Sequence, residues 1–370
     1  TRVRSSAASD VYKRQLFGPG AQVNVGGILA STLAMTDADF LAGRYGLAGA
    51  SSSAVINQGN IVAQPDGRGG EILMVAAKIT NEGTMVAPGG TVVLAAASQV
   101  TLDLGGVVRL TIQQGAIDAL VANGGAIHAS GGLVLLTAAA AGDLPSAMVN
   151  HAGLIEAQTL ATGEEGRIFL LADMKAGTVV ADGRLDVSAP FGGDGGFVET
   201  SAARVLVRDG FRVDALSAFG KTGTWLLDPD VINITATGTD ILSGLPLTGD
   251  SFVSVATLNA ALSSADVELQ AHSHIDIRTP FTYAGSRDAK LSLFAPLVLL
   301  GADIGSASTA KLSLSFGGLF AGNGINYTGD LYLYDAAVGA TTVRVITTQG
   351  GDVVFNGNIG GSQNLSISAG

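Results

Sequence analysis

Three side chains with metal-ligating chemistry alternate in the C-terminal half: His272, His274 and Asp276, separated by Ser273 and Ile275. Successive side chains of a β-strand point to opposite faces, so this spacing predicts two imidazoles and one carboxylate on one face. Such a set suits a divalent transition metal. No fourth ligand is evident, and the reading adopted is a polar strand face. His128 and His151 lie beside glycine turns and are expected at the surface. Asp182, Asp186, Asp194 and Glu199 are close in sequence, but a glycoside hydrolase needs two opposed carboxylates at a fixed gap. Each of these acids fits a turn or a solvated face instead. No acid pair stands beside an arginine or lysine cluster that would hold an acidic sugar. The chain has no cysteine, which removes thiolate ligands and cysteine nucleophiles. The sequence therefore assigns no catalytic residue, no metal ligand and no cofactor.

The glycine-rich phrases do not change this. Gly67–Gly70 and Gly193–Phe197 lack the lysine and Ser/Thr of a phosphate loop, and neither opens a helix. Glycine-aspartate repeats of β-helices can bind calcium, but their strict nonapeptide is absent. Leu245–Gly249 matches a five-residue sorting signal that acts only before an apolar tail and a basic end; here about 120 further residues follow.

The elements that carry these residues are short and repeated. Val55–Gln64, Lys78–Pro88, Leu120–Ser130, Met148–Gln158, Val179–Ala189 and Leu206–Leu216 each pair a β-prone run with a glycine turn. The turn glycines are Gly59, Gly83, Gly125, Gly153, Gly183 and Gly210; with Gly105 included, the intervals are 24, 22, 20, 28, 30 and 27 residues. A period of this length signals a solenoid. Apolar runs of three to six residues, rich in Val, Ile and Leu and broken by Gly, Asn and Asp, read as strands. The predicted fold is all-β, a parallel β-helix. At about 25 residues per coil, roughly 350 residues give about 14 coils, a rod of roughly 65 Å at the strand spacing of about 4.8 Å. Asn57, Asn81, Asn123 and Asn150 recur near one turn, and stacked asparagines that bond their own backbone are expected there. Several of Gly59, Gly83, Gly153 and Gly183 are expected at positive φ. Thr36 and Asp39 predict a short helical turn that ends at Gly43 and is placed by Phe40 and Tyr45.

With 20 Lys+Arg against 31 Asp+Glu the net charge is −11. A protein that tracks a nucleic-acid backbone needs a basic surface, so nucleic acid is not an expected partner. No apolar run reaches about 18 residues, so stable membrane insertion by a helix is not expected. Residues 1–15 carry four of the basic side chains and no periodic pattern; they read as a foreign tail on an internal fragment.

Several phrases, taken in order, resemble the filamentous haemagglutinin-like large exoproteins, the secreted partners of bacterial two-partner secretion systems. They are Leu16–Thr32 with its Gly18-Pro19 turn, Asp39–Gly43, Val55–Ile61, Ser188–Ala202 around Gly195, and Gly223–Ile234 with Trp225, Asp228 and Pro229. Together they span about 220 residues; after Ile234 the match is loose. In relatives an Asn-Pro-Asn phrase precedes the segment that matches Leu16–Gly18; here Tyr12–Gln15 stands there. The resemblance implies a right-handed parallel β-helix, with the later part of a secretion domain over residues 16–234 running into it, and a further β-helix or β-rich repeat region over 235–370. It also implies export through an outer-membrane β-barrel transporter and a place outside the cell or on its surface. As a scaffold for adhesion, the rod would meet receptors or glycans of host or neighbouring cells. Two alternatives share the architecture: the stalk of a contact-dependent toxin-delivery exoprotein and a β-helical polysaccharide-degrading enzyme. Asp228-Pro229 is expected to start a turn, and Trp225 to cover the end of one coil stack.

Overall fold

The computed structural model describes residues 15–64, 69–103, 109–142, 147–237 and 250–302, and beyond these the segments 304–306, 310–322, 331–338, 343–347, 353–356, 360–361 and 365–369. It is a right-handed parallel β-helix with three strand faces. The first face stacks Gln15–Phe17, Ala54–Asn57, Lys78–Asn81, Leu120–Asn123, Met148–His151, Thr178–Ala181 and Arg204–Val207. The second stacks Gln22–Val25, Asn60–Ala63, Thr84–Val86, Ala126–His128, Leu154–Glu156, Arg184–Asp186 and Arg212–Asp214. The third runs from Gly27–Ser31 through Glu71–Ala76, Thr91–Ala96, Leu133–Ala138, Arg167–Ala172, Phe197–Ser201, Thr224–Asp228 and Asp266–Gln270 to Ala289–Leu300 and Leu312–Gly322.

Alternation decides what goes inside. On the first face Val55, Ile79, Val121, Val149, Val179 and Val205 stand in one register column, and all are buried. On the second the column is Ile61, Met85, Ile127, Ile155, Leu185 and Val213. Each inward side chain therefore packs on its counterparts one coil away, and the two neighbours demand similar volume.

Two strands of the third face depart from alternation. Glu71–Ala76 and Thr91–Ala96 bury both their faces, because an antiparallel flap covers them outside. The flap is Tyr45–Ala48, Gln99–Asp103 and Arg109–Gln114, with Gln99–Asp103 in the middle. Its inner side chains Leu47, Val100 and Leu102 pack with Leu33, Leu73, Val75, Val93 and Ala95 in a second core. Burial on both faces explains the near-continuous apolar runs at these two strands. It also overturns the placing of Gly105 among the coil turns. Gly105 lies outside the described residues, and the coil of Gly83 is followed directly by that of Gly125, with the flap strands as a detour between them.

The short helix forms at Asp37–Leu41: the Thr36 hydroxyl accepts from the Asp39 backbone N–H at 3.0 Å, and Gly43 leaves at φ 68°. Phe40 does not place it. That ring is 64% exposed; an ion pair from Arg44 to Asp39 at 2.8 Å closes the turn instead. Sequence reading missed a second helix, Val255–Leu262, capped by Ser254 and buried through Thr257, Leu258, Ala261 and Leu262. It follows Arg212–Asp214 on the second face, where Ser264 donates to Val213 O and accepts from Ala215 N–H. Gln15, placed in the tail by sequence, is the first residue of a strand; it stands in register with Val55 and its side chain donates to Ser31 O at 2.7 Å.

The stack has one inserted rung. Ser251–Ser254 lies between Arg204–Val207 and Val231–Thr235, although it follows both in sequence. It meets Arg204–Val207 through a single register pair, Leu206 with Phe252. There the Ser251 hydroxyl, rather than a carbonyl, takes the Val205 N–H at 2.8 Å. Among the described residues, Arg204 Nε and Nη2 and Asn233 Oδ1 are buried beside it without a hydrogen-bond partner.

Replacing Ile127 by Ala should cost about 2–5 kcal/mol, since its column neighbours Met85 and Ile155 cannot close the gap. The same change at Ile117, which is 67% exposed, should stay within about 0.5 kcal/mol. Urea midpoints of the two variants check the contrast.

Candidate functional site

The asparagines and turn glycines singled out by sequence gather at the turn between the first and second faces. Asn57, Asn81 and Asn123 end successive strands of the first face and are buried. Their amides form one directional chain. Asn57 Nδ2 donates to Asn81 Oδ1 at 2.8 Å, and Asn81 Nδ2 donates to Asn123 Oδ1 at 2.7 Å. Asn57 Oδ1 accepts from the Gly59 N–H at 3.1 Å. The chain ends on His151, whose Nδ1 lies 3.2 Å from Asn123 Nδ2.

His151, not Asn150, takes the next rung, which corrects two expectations. The register sets Asn123 against His151 and Ala122 against Asn150, so Asn150 points outward into solvent. The spacing to the turn glycine shows the same: Asn57, Asn81 and Asn123 stand two residues before Gly59, Gly83 and Gly125, and so does His151 before Gly153, whereas Asn150 stands three before it. His151 is fully buried rather than superficial. Its Nδ1 accepts from an amide and its Nε2 lies 3.3 Å from Arg184 O, which fixes the neutral ring with the proton on Nε2. Burial pushes its pKa down to about 4, against the raising effect of the Arg184 carbonyl and the Asp182 charge.

The turn glycines are required for a different reason than positive φ. Of Gly59, Gly83, Gly153 and Gly183, only Gly183 is left-handed, at φ 72°. A Cβ on Gly59 would stand 2.6 Å from Ala21 O and 2.8 Å from Gly18 O. On Gly83, Gly125, Gly153 and Gly183 it would overlap the carbonyl oxygen of the glycine one coil earlier. Those same carbonyls accept the coil-to-coil bonds: Gly59 O from Thr84 N–H, Gly83 O from Ala126 N–H, Gly125 O from Leu154 N–H and Gly153 O from Arg184 N–H, at 2.9–3.0 Å. Backbone thus passes over backbone where a side chain would otherwise stand. A second such column, Gly70, Gly90, Gly132, Gly166, Gly196 and Gly223, opens the strands of the third face. Sequence reading missed it, although Gly-Gly pairs at 69–70, 89–90, 131–132 and 195–196 mark it.

The remaining motif residues sit in ordered corners. Gly18 and Pro19 begin a turn closed by Ala21 N–H on Gly18 O at 2.9 Å. Gly195 donates to Lys221 O at 2.9 Å, and a Cβ there would overlap Ala215 O. Trp225 does not cover a stack end. It is fully buried between Val198 and Val267 of the flanking coils. Its Nε1 donates to Thr200 Oγ1 at 3.1 Å, and its ring tilts against Phe211 at 5.4 Å. Asp228 ends its strand and Pro229 bridges to Val231–Thr235. Burial first, then the Glu199 charge, raises the Asp228 pKa, and Glu268 is raised by burial and by Asp228.

The acids weighed as catalytic groups are occupied as local hydrogen-bond acceptors. Asp182 accepts from Gly183 N–H, Asp186 from Ser188, Asp194 from Lys221 N–H and Glu199 from the Ser201 hydroxyl. His274 and Asp276 share a strand, with Asp276 paired to Arg278 at 2.7 Å, while His272 lies outside it. Among the described residues no group of three His, Asp or Glu side chains is arranged to hold a metal ion.

No protein-family model and no curated protein matches the chain. Among solved structures it is similar to the crystal structure of the HMW1 secretion domain from Haemophilus influenzae, at 17% identity and a TM-score of 0.54, over 82% of this chain and 73% of that one. At this identity the likeness is one of fold.

Two outcomes follow from the stacked turn. Gly125→Ala should lose about 1–3 kcal/mol by forcing a methyl onto the preceding carbonyl, whereas Gly124→Ala, with nothing within 4 Å of its Cβ, should change the urea midpoint little. The second concerns acid. The folded-state pKa of His151 lies at about 4, below its unfolded value of 6.5. Its contribution is complete above about pH 6.5, is lost as pH falls toward about 4, and is flat below; the full loss is roughly 3 kcal/mol. Urea unfolding from pH 7.5 to 3.5 should show this difference between the native chain and His151→Asn, which continues the amide chain without a titrating group.

Proposed function

We propose that the chain is a segment of a filamentous haemagglutinin-like exoprotein, exported by two-partner secretion, that acts as a rigid β-helical scaffold for adhesion at the bacterial cell surface. The observation that carries this reading is a coincidence of two independent signals. The fold is similar to a secretion domain over 82% of the chain, and the phrases that resemble the family fall in order along the same coils. Leu16–Thr32 forms the first described coil, Val55–Ile61 the first asparagine turn, and Gly223–Ile234 the strands on either side of Pro229. The proposed partners are an outer-membrane β-barrel transporter during export and receptors or glycans of other cells afterwards. Residues 16–234 form the later part of the secretion domain in this reading, and 235–370 a further β-helix or β-rich repeat region. A stack whose coils bond mainly to their neighbours suits a stalk, since load passes from coil to coil.

Pulling the chain by its ends should release it in successive steps of about one coil, roughly 25 residues each. In cells, the segment joined behind a complete secretion signal should reach the medium only when a cognate transporter is present. Release in one event, or equal export without the transporter, would overturn the scaffold and the export route respectively.

A further inference from the structure

We propose that the outer edge of the flap, Arg109–Gln114, together with the strip formed by Leu135, Phe169 and Leu171, is a docking site for an extended strand of another protein. Two separate observations meet there. The first is an open sheet edge. Among the described residues Arg109–Gln114 pairs with Gln99–Asp103 on one side only. An edge of this kind presents backbone donors and acceptors that another extended backbone satisfies.

The second is a strip of apolar side chains that continues the flap's own footing. Leu73, Val93, Leu135 and Phe169 stand in one outward register column, and Val75, Ala95, Thr137 and Leu171 in the next. Beneath the flap Leu73, Val75, Val93 and Ala95 are buried. One and two coils further on, Leu135, Phe169 and Leu171 keep the apolar character but are only half-buried. Leu135 already touches the flap core beside Leu110 and Ile112. In these two columns the strip then stops, because Glu199 and Ser201 follow Phe169 and Leu171 in register, and beyond it the Phe169 ring meets Phe197 at 5.9 Å. The strip's width is two coils, about 10 Å, which is the footprint of one or two added strands at about 4.8 Å each. Antiparallel order within the flap predicts antiparallel addition.

The geometry selects the occupant. Alternating apolar residues would face Leu135 and Phe169 while polar ones face solvent. The chain's net charge of −11 opposes a second copy and favours a neutral or basic segment. The proposal stands apart from the export route, since it is tested on the purified chain alone.

The probe is a fluorescein-labelled peptide of alternating valine and threonine with a lysine at each end. It should bind saturably by fluorescence anisotropy and slow amide hydrogen exchange within Arg109–Gln114. Phe169→Lys and Leu171→Lys should each weaken binding at least tenfold, whereas Phe219→Lys, at an exposed site on another corner, should not. Urea midpoints confirm that each variant is folded, and the pair of strip variants guards against loss of one. A peptide with proline at alternate positions should not bind. Absence of binding, equal affinity for the strip variants or the proline peptide, or protection located elsewhere would overturn the proposal. So would sedimentation showing a dimer that buries Arg109–Gln114 and excludes the peptide, because the occupant would then be a second copy.

Discussion

Everything in this structure is subordinate to the distance between successive coils, about 4.8 Å, which backbone hydrogen bonding fixes. No inward side chain can choose its size independently, because its counterparts lie one strand spacing above and below. The valine and isoleucine columns of the first two faces satisfy that condition by repetition. Where a larger group enters, its neighbours give way: Trp225 sits between two valines, and Thr200 in the adjacent column offers a small, polar surface that accepts the indole N–H. The corners meet the same condition by removing side chains. Two glycine columns let one carbonyl point directly at the next coil.

At the turn between the first and second faces, buried polar side chains form a continuous chain. Each asparagine amide donates in the same direction along the stack, so one residue's oxygen is satisfied by its predecessor and its nitrogen by its successor. Such an arrangement has two ends that must be closed. A backbone N–H closes the first, and an imidazole nitrogen the last. Burial keeps that imidazole neutral, and its neutrality lets it accept.

Much of this was legible in the residues. The glycine period and the short alternating runs indicated a β-helix, and Asn57, Asn81 and Asn123 indicated stacking, because local turn chemistry repeats where coils repeat. What escaped was non-local. His151 differs in type from the asparagines, and only register reveals that it shares their column. Gly105 looked periodic because the flap detour stretches the interval from Gly83 to Gly125 to 42 residues, nearly two coil lengths. Val255–Leu262 lay in the glycine-free stretch from Asp250 to Ala284, a warning that coil turns are replaced there, but its apolar spacing is too short to separate helix from strand by pattern alone. Positive φ holds at Gly183 alone of the four turn glycines; at Gly59, Gly83 and Gly153 neighbours in space, not their own dihedral angles, exclude a side chain.

The inserted strand imposes an order of assembly on a chain that otherwise grows from one end. Ser251–Ser254 must enter between Arg204–Val207 and Val231–Thr235, both of which precede it. A chain emerging from its N-terminus therefore cannot complete this level when Val231–Thr235 first arrives. Either that strand waits unpaired on one side, or it settles early and must part to admit the latecomer. The single register pair between Leu206 and Phe252 and the buried Arg204 Nε and Nη2 without partners mark this level as incompletely bonded among the described residues. At the level around Phe252, as at the flap where Tyr45–Ala48 awaits Gln99–Asp103, earlier residues depend on distant later ones for their final neighbours.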